Sequence, residues 1–392
     1  MVKFAHLSDI HLGGWKQKPL QDLNFQSFRK AIEICIKEKV DFILIAGDLF
    51  DTPYPPIEIL KETFAEFRKI KDSGIPCFLI SGSHDYSVSG KTFLDVLEKA
   101  GFCKNVSAFS RDEEKDRIIL QPTIHNNVAI YGYPGKKSGL DLNDLKKIEL
   151  AFSENSFKIL MLHTTIDKAV GNLPIDFVDS DSLPYADYYA LGHIHIRLHH
   201  KNFVYPGPLF PNNFAELEEL KHGSFCIVNT DEKTEKESHV KYIELPIIGI
   251  ERINLKINDA ITATEEIVSE LEKRDIENKI ILLRISGELE NSRNSDIKFN
   301  KIEEFAKKKN AYFMLKNTHD LRTKEMEIEY EIANSENIEE EIIKNYSEQN
   351  ISDFNKIIIN LISSLSIEKQ EGETSETFSN RVVSESRKIL NF

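Results

Sequence analysis

Five separate stretches of the chain end in residues that could do metal chemistry: Asp9-Ile-His11, Asp48, His84-Asp85, His163 and His193-Ile-His195. Asp-x-His and His-x-His suit metal binding where the backbone bends, because alternate residues can then aim at one point. Imidazole nitrogen combined with carboxylate oxygen suits Mn2+, Fe2+ or Zn2+ better than Ca2+, with Mg2+ also compatible. The set is larger than one ion needs, so the sequence predicts two divalent ions with one carboxylate as the bridge. Taken singly, each residue has a duller explanation. Gly47-Asp48 after a strand is a common turn, and a lone His past a strand is ordinarily a surface or capped residue. Recurrence after five segments is what argues for a site.

Each stretch follows a segment that reads as a strand. Residues 42–45 are an unbroken apolar run, the pattern of a strand buried on both faces of a mostly parallel sheet. Residues 2–8 and 76–80 read likewise, and helical stripes over 24–39, 57–71 and 91–100 alternate with them. This β-α-β-α-β-α order puts the polar residues at the carboxyl ends of the strands, where α/β sheets bind ligands. Further strands are expected at 117–120, 128–133, 158–162 and 188–191. Pro206-Gly-Pro and residues 224–228 suggest a last strand pair closing a second sheet. Residues 1–245 therefore predict an α/β fold, a two-sheet sandwich flanked by helices.

After Pro246 the pattern restarts, with strands at 250–257 and 280–285 and helices at 262–273 and 300–309. That is a small α/β domain, bounded at 246–330. The tail, 331–392, carries two apolar faces at helical spacing. Phe354, Ile357, Ile358, Leu361, Ile362 and Leu365 form one; Phe378, Val382, Val383, Ile389 and Leu390 form the other. Such a stripe either packs on its own domain or takes a partner.

With 392 residues, two or three domains are expected. A composition of 41% hydrophobic and 29% charged residues is that of a globular chain. The net charge of -14 argues against broad attraction to nucleic acid or acidic membranes. It does not exclude DNA, because bound cations reverse the field locally. Four scattered cysteines lack the spacing of a disulfide framework or a zinc knuckle. No signal peptide is visible, and no apolar run approaches the ~18 residues of a membrane span. The expectation is a soluble cytoplasmic protein that does not enter a membrane.

Asp9-x-His11, Gly47-Asp48-x-x-Asp51, Gly82-Ser83-His84-Asp85, His163 and Gly192-His193-x-His195 resemble, in order and spacing, the calcineurin-like metallophosphoesterase family. The resemblance covers about the first 245 residues. It implies that Asp9, His11, Asp48 and His195 hold one ion, and that Asp48, His163 and His193 hold the other. His84 would be the unligated general acid, oriented by Asp85. The family usually has Asn at position 83, whose amide oxygen ligates the second ion. Ser83 is a shorter and weaker ligand, although its hydroxyl could hold a water there.

Across the whole chain the pattern is similar to SbcD-type nucleases of double-strand-break repair, the meiotic-recombination-eleven family. The carriers are Phe4-Ala-His-Leu-Ser-Asp-Ile-His-Leu-Gly, Gly47-Asp48-Leu-Phe-Asp51, His84-Asp85 with Gly90-Lys91, and Tyr205-Pro-Gly-Pro before Asn212-Asn213-Phe214-Ala-Glu216. Repair members commonly carry His where Asp51 stands. The resemblance implies a nuclease with two Mn2+ ions acting on double- and single-stranded DNA. It makes residues 246–330 a capping domain and the tail an arm for an SMC-like ATPase of the SbcC or "Rad-fifty" type. The tail residues for that partner are Phe354, Ile358, Leu361, Leu365, Phe378 and Val382. A homodimer follows too, through helices near Leu60, Phe64, Phe67, Phe93 and Leu97, although these side chains could equally be core. The short form looks archaeal, with a nucleoid-associated site of action.

Lys16, Lys18, Lys136, Lys137, Arg197, His199, His200 and Lys201 are expected in loops near the ligands. They are the candidate phosphate contacts, which position DNA without reading its sequence. His6, His125 and His222 are read as ordinary structural or surface residues. Two readings compete with the nuclease. One is a small-molecule phosphodiesterase or protein phosphatase on the same fold. The other is a scaffold that tethers DNA ends, with Ser83 marking weakened catalysis.

Overall fold

The computed structural model describes residues 2–87, 91–135, 141–154, 156–171, 175–234, 237–289, 293–323, 360–361, 364–365, 367 and 375–390. The apolar run Phe42–Ala46 lies within a six-stranded sheet. It runs parallel to Lys3–Leu7 on one side and to Cys77–Ile80 on the other, with Lys104–Asn105 beyond. Side chains alternate between the two faces. Phe4, Phe42, Leu44, Phe78 and Ile80 point between two sheets. Ala5, Leu7, Ile43, Ile45 and Leu79 meet the helices Lys18–Lys37, Ile57–Asp72 and Phe93–Lys99. Burial on both faces is why these strands read as continuous apolar runs.

The first helix begins at Lys18, well before residue 24. Pro19 stands in its first turn, where the missing N–H is no loss.

The second six-stranded sheet runs Arg197–His200, Phe203–Pro206, Tyr188–Gly192, Phe157–His163, Val128–Tyr133, Thr123–His125. Its four inner strands are parallel and its edges antiparallel. The expected two-sheet α/β sandwich is therefore present, with one correction. Gly223–Thr234 does not close the second sheet. It lies antiparallel against Lys3–Leu7 in the first sheet, with Glu237–Leu245 outside it. Phe225 and Ile227 belong to the helix-side core, while Cys226 and Val228 belong to the core between the sheets. A strand apolar on both faces needs cover on both, and that edge of the first sheet supplies it.

Between the sheets His6 is buried, its Nδ1 3.0 Å from the Tyr188 hydroxyl. Burial pushes its imidazole down to about 3, so it is neutral. Leu60, Phe67 and Leu97 are core, with Phe64 and Phe93 packed against it. Of the two readings left open for these side chains, core is the observed one. All four cysteines are free thiols, three of them buried.

Gly249–Lys256, Lys279–Leu289 and Phe313–Thr323 form a separate three-stranded parallel sheet, with helices Ala260–Glu272 and Phe299–Lys308. One face has its own core of Ile253, Ile267, Leu271, Ile281, Leu283 and Ile285. On the other face Ile280 and Leu282 pack with Trp15, Leu20, Leu23, Phe210 and Leu217. Residues 1–324 accordingly make one compact unit.

The second unit spans 325–392. Its described helix, Ser375–Leu390, carries Phe378 and Val382 half-buried, with Arg381 over the Phe378 ring. Leu361 is half-buried and Leu365 is exposed; Phe354 and Ile358 lie outside the described residues. No helix among the described residues is long and apolar enough to cross a membrane.

The layer between the sheets supports the strands that carry the ligands, and Phe42 is fully buried in it, stacked on Phe4 and edge-on to Phe78. Phe42→Ala should cost about 3–5 kcal/mol. Urea unfolding measures it, and a loss below roughly 1 kcal/mol would contradict this account of the core.

Candidate metal centre

Strand register brings the expected residues to one edge. Leu7 pairs with Ile45, Ala46 with Ile80, and His163 with Gly192. The chain then turns sharply beyond the strands. Asp9, His11, Asp48 and His193 all adopt positive φ, at 50°, 47°, 52° and 99°. Such conformations are uncommon outside glycine and cost about 1–3 kcal/mol each. Asp9, His11 and Asp48 are held in place by main-chain bonds. Asp9 N–H donates to the Gly47 carbonyl, and Ile10 and His11 N–H to that of Asp48. Glycines make the remaining room. A Cβ at Gly47 would overlap the His163 ring, and one at Gly82 would overlap the Asp48 carboxylate.

Four imidazoles share one arrangement. His163 Nδ1 is 2.8 Å from the Ala46 carbonyl, and His84 Nδ1 is 3.0 Å from that of Asp51. His195 Nδ1 is 2.8 Å from Glu216, and His11 Nδ1 is 3.2 Å from Asp51 Oδ1. Carbonyls and carboxylates only accept, so each Nδ1 carries the proton. The Nε2 atoms of His11, His163 and His195 face the centre, where a proton or a cation must lie between them and the carboxylates. His163 Nε2 is 3.0 Å from Asp48 Oδ2 and 4.0 Å from Asp9 Oδ1. His11 Nε2 is 3.6 Å from Asp48 Oδ2, and His195 Nε2 is 3.8 Å from Asp9 Oδ1.

His11 Nε2 and His195 Nε2 stand 3.1 Å apart. Two lone pairs at that distance require a proton or a cation between them. Among the described residues, three ligand groups have atoms within 4.8 Å of one another: Asp9-His11-His195, His11-Asp48-His84 and Asp9-Asp48-His163. Nitrogen and carboxylate donors in this density fit a pair of divalent ions.

Electrostatics says the same. Burial alone would push the Asp48 carboxyl up, but His163, His11 and the His84 N–H outweigh it and hold it far below the usual range. Burial would push His163 down, but Asp48 and Asp9 raise it to about 10. His195 is raised against its own burial by Glu216 and Asp9. The carboxylates therefore demand positive charge, and protonated imidazoles can meet that demand in place of ions.

His193 sits at the exposed rim, its ring 5.1 Å from that of His163 and its N–H 2.9 Å from Asp9 Oδ1. The Ser83 hydroxyl is 3.4 Å from Asp48 Oδ2. His84, with a side chain 42% exposed, faces the opening.

Asp85 requires a correction. It was expected to orient His84, yet both its oxygens accept main-chain N–H groups, those of Leu49, Phe50 and Gly82. A buried carboxylate facing three donors ties the Asp48 turn to the Gly82 turn. The Asp51 backbone carbonyl is what meets His84. Glu216 is the functional residue that sequence reasoning undervalued. Its signal was the Asn213-x-x-Glu216 spacing, since Asn213 caps the helix Phe214–Leu220 by accepting Glu216 N–H.

The expected DNA contacts do not form one loop cluster. Lys18 starts a helix and pairs with Asp22. Arg197 and His199 are in a strand; Arg197 is bonded to Glu244 and the His222 carbonyl, and His199 to the Lys201 carbonyl. Lys16 and Lys201 are exposed, and Lys136 and Lys137 lie outside the described residues.

Asp85→Asn would turn an amide NH2 toward backbone donors, at about 1–3 kcal/mol. The expected result is a lower unfolding midpoint and weaker ion binding together. An unchanged midpoint would contradict the tying role.

Residues 2–197 match the calcineurin-like phosphoesterase family. The DNA double-strand break repair protein Mre11 of Aeropyrum pernix is 31% identical over 230 residues, 55% of this chain and 56% of its own length. The protein of the same name from Methanosarcina mazei is 27% identical over 83% of this chain and 50% of its own length. The uncharacterized metallophosphoesterase YhaO of Bacillus subtilis is 29% identical over 59% of this chain and 58% of its own length. The chain thus spans about half the length of the curated relatives it matches. The matched stretch carries every residue of the centre from Asp9 to His195, and the chain belongs to the calcineurin-like phosphoesterase family, metal-dependent hydrolases built on a dinuclear divalent centre.

Proposed function

We propose that the chain is a metal-dependent DNA nuclease, a 3′-to-5′ exonuclease, an endonuclease or both, of a double-strand-break repair complex. The observation that carries this reading is the set of Nδ1-anchored imidazoles converging on Asp9 and Asp48 beside an exposed His84. The likeness to Mre11 proteins over most of the chain supports DNA as the substrate. In this reading Asp9, His11, Asp48 and His195 hold one ion. Asp48, His163 and His193 hold the other, with Ser83 beside Asp48. Two Mn2+ ions there would supply Lewis acidity and charge neutralisation at the phosphoryl group.

The chain's own residues do the rest. One P–O bond forms to the attacking water as the P–O bond to the departing sugar oxygen breaks. In its imidazolium form His84, held through Nδ1 by the Asp51 carbonyl, gives that oxygen its Nε2 proton, while the attacking water releases a proton to solvent. Among the described residues, the exposed Lys16 and Lys201 would meet the DNA backbone.

Residues 246–330 act as the cap, and the tail, 331–392, docks on an SMC-like ATPase of the SbcC or "Rad-fifty" type. A homodimer would use outward residues of the helices Ile57–Asp72 and Phe93–Lys99, such as the exposed Ile57 and Val96. The second reading is a small-molecule phosphodiesterase or phosphatase on the same fold.

His84→Gln should lower kcat on single- and double-stranded DNA by about 10²–10⁴-fold with Mn2+ binding kept. Asp48→Ala should lose ion binding and activity together. Cleavage of bis-p-nitrophenyl phosphate with none of DNA would replace the nuclease reading by the second one. Deleting residues 331–392 should leave nuclease activity and abolish co-purification with the ATPase; retained co-purification would refute the docking role.

A further inference from the structure

The short helix Phe214–Leu220 is committed in three directions at once. Toward the metal centre, Glu216 Oε1 accepts from His195 Nδ1 at 2.8 Å, and Oε2 accepts from Asn212 N at 2.7 Å. Into the core shared with the 249–323 module, Leu217 is buried and Phe214 packs beside it against Ile280 and Leu282. Toward the module itself, both Glu218 carboxylate oxygens accept from Arg284, one through Nε and one through Nη2. The Arg284 guanidinium also lies 5.3 Å over the Phe214 ring. Arg252 Nη1 donates to the Glu218 carbonyl at 2.8 Å. The module therefore grips, by a forked ion pair, a stack and a main-chain bond, the helix whose Glu216 orients His195.

Glu216 and Glu218 are separated by only ~3 Å of helix axis. A two-oxygen fork with a planar guanidinium tolerates little rotation. Displacement of the module that keeps the fork must carry the helix with it. Carboxylates that hold a ligating imidazole set its direction and basicity.

We propose that Arg284 is a positioning residue for the metal centre. Through Glu218 it sets the helix Phe214–Leu220, and through Glu216 on that helix it sets His195. The module is thereby linked to ion affinity, so that whatever displaces it retunes the His195 site. This rests on the reading of His195 as an ion ligand.

The test titrates Mn2+ into the full chain and follows free Mn2+ by electron paramagnetic resonance. Wild type is compared with Arg284→Gln, Glu218→Gln, the double variant, Arg284→Lys and Tyr312→Phe. Tyr312 donates to the Pro19 carbonyl, a contact of the same module that does not touch the helix. Each Gln variant should weaken one of two ions by about 3–10-fold, below the ~10–100-fold expected for loss of a direct outer partner. The double variant should be no worse than either single one. Arg284→Lys, which keeps charge but not the fork, should fall between. Tyr312→Phe should leave both affinities unchanged.

Two tight ions in wild type with unaltered affinity in Arg284→Gln would overturn the relay and leave the metal centre standing. So would additive losses in the double variant, or an equal loss in Tyr312→Phe. No bound Mn2+ in wild type would overturn the metal reading and the relay with it.

Discussion

The structure is organised around carboxylates that have been taken out of water. Asp9, Asp48 and Asp85 are all buried at the carboxyl edge of the two sheets. Burying even one unpaired carboxylate costs far more than a typical side chain contributes to folding. Each is answered differently. Asp85 is met by three main-chain N–H groups. Asp48 is met by imidazoles and one N–H. Asp9 is met by the Ser8 hydroxyl and the His193 N–H. The remaining demand for positive charge is directed into one small volume, and that is what a pair of cations satisfies.

The surrounding fold follows from this demand. Ligand-bearing loops at positive φ are strained, and they persist only because the strands beneath them are rigid and covered on both faces. Glycine at 47 and 82 lets the His163 ring and the Asp48 carboxylate occupy space a side chain would fill. The anchoring of Nδ1 in His11, His163 and His195 removes ring flipping as a way to relax, so their Nε2 atoms stay convergent.

Much of this was legible in the sequence because strand and helix periods are local. The runs at 42–45 and 76–80 lie within a residue or so of the observed strands, and the Asp and His residues after them meet as expected. What was hidden depends on backbone or on distant contacts. The Ala46 and Asp51 carbonyls have no residue type to betray them. The left-handed residues Asp9 and His11 have no glycine beside them to mark the turn, whereas Asp48 has Gly47. The strand Gly223–Thr234 could be seen as apolar, but its sheet is chosen by which edge offers cover, a long-range matter. The family resemblance implied Asp85 as the partner that orients His84. Adjacent residues point apart, and the contact went to Asp51 instead. The core shared by Trp15, Leu20, Leu217, Ile280 and Leu282 joins three remote segments and has no period at all.

The central claim is that Nδ1 anchors on His11, His163 and His195 leave three Nε2 atoms facing one pair of ion sites. The most direct measurement is a crystal structure of the chain soaked in Mn2+, with anomalous scattering recorded at the Mn edge. The account predicts two anomalous peaks flanking Asp48, one near Asp9, His11 and His195 Nε2 and one near His163 Nε2. Absent peaks, peaks away from Asp48, or ligation through Nδ1 would contradict it.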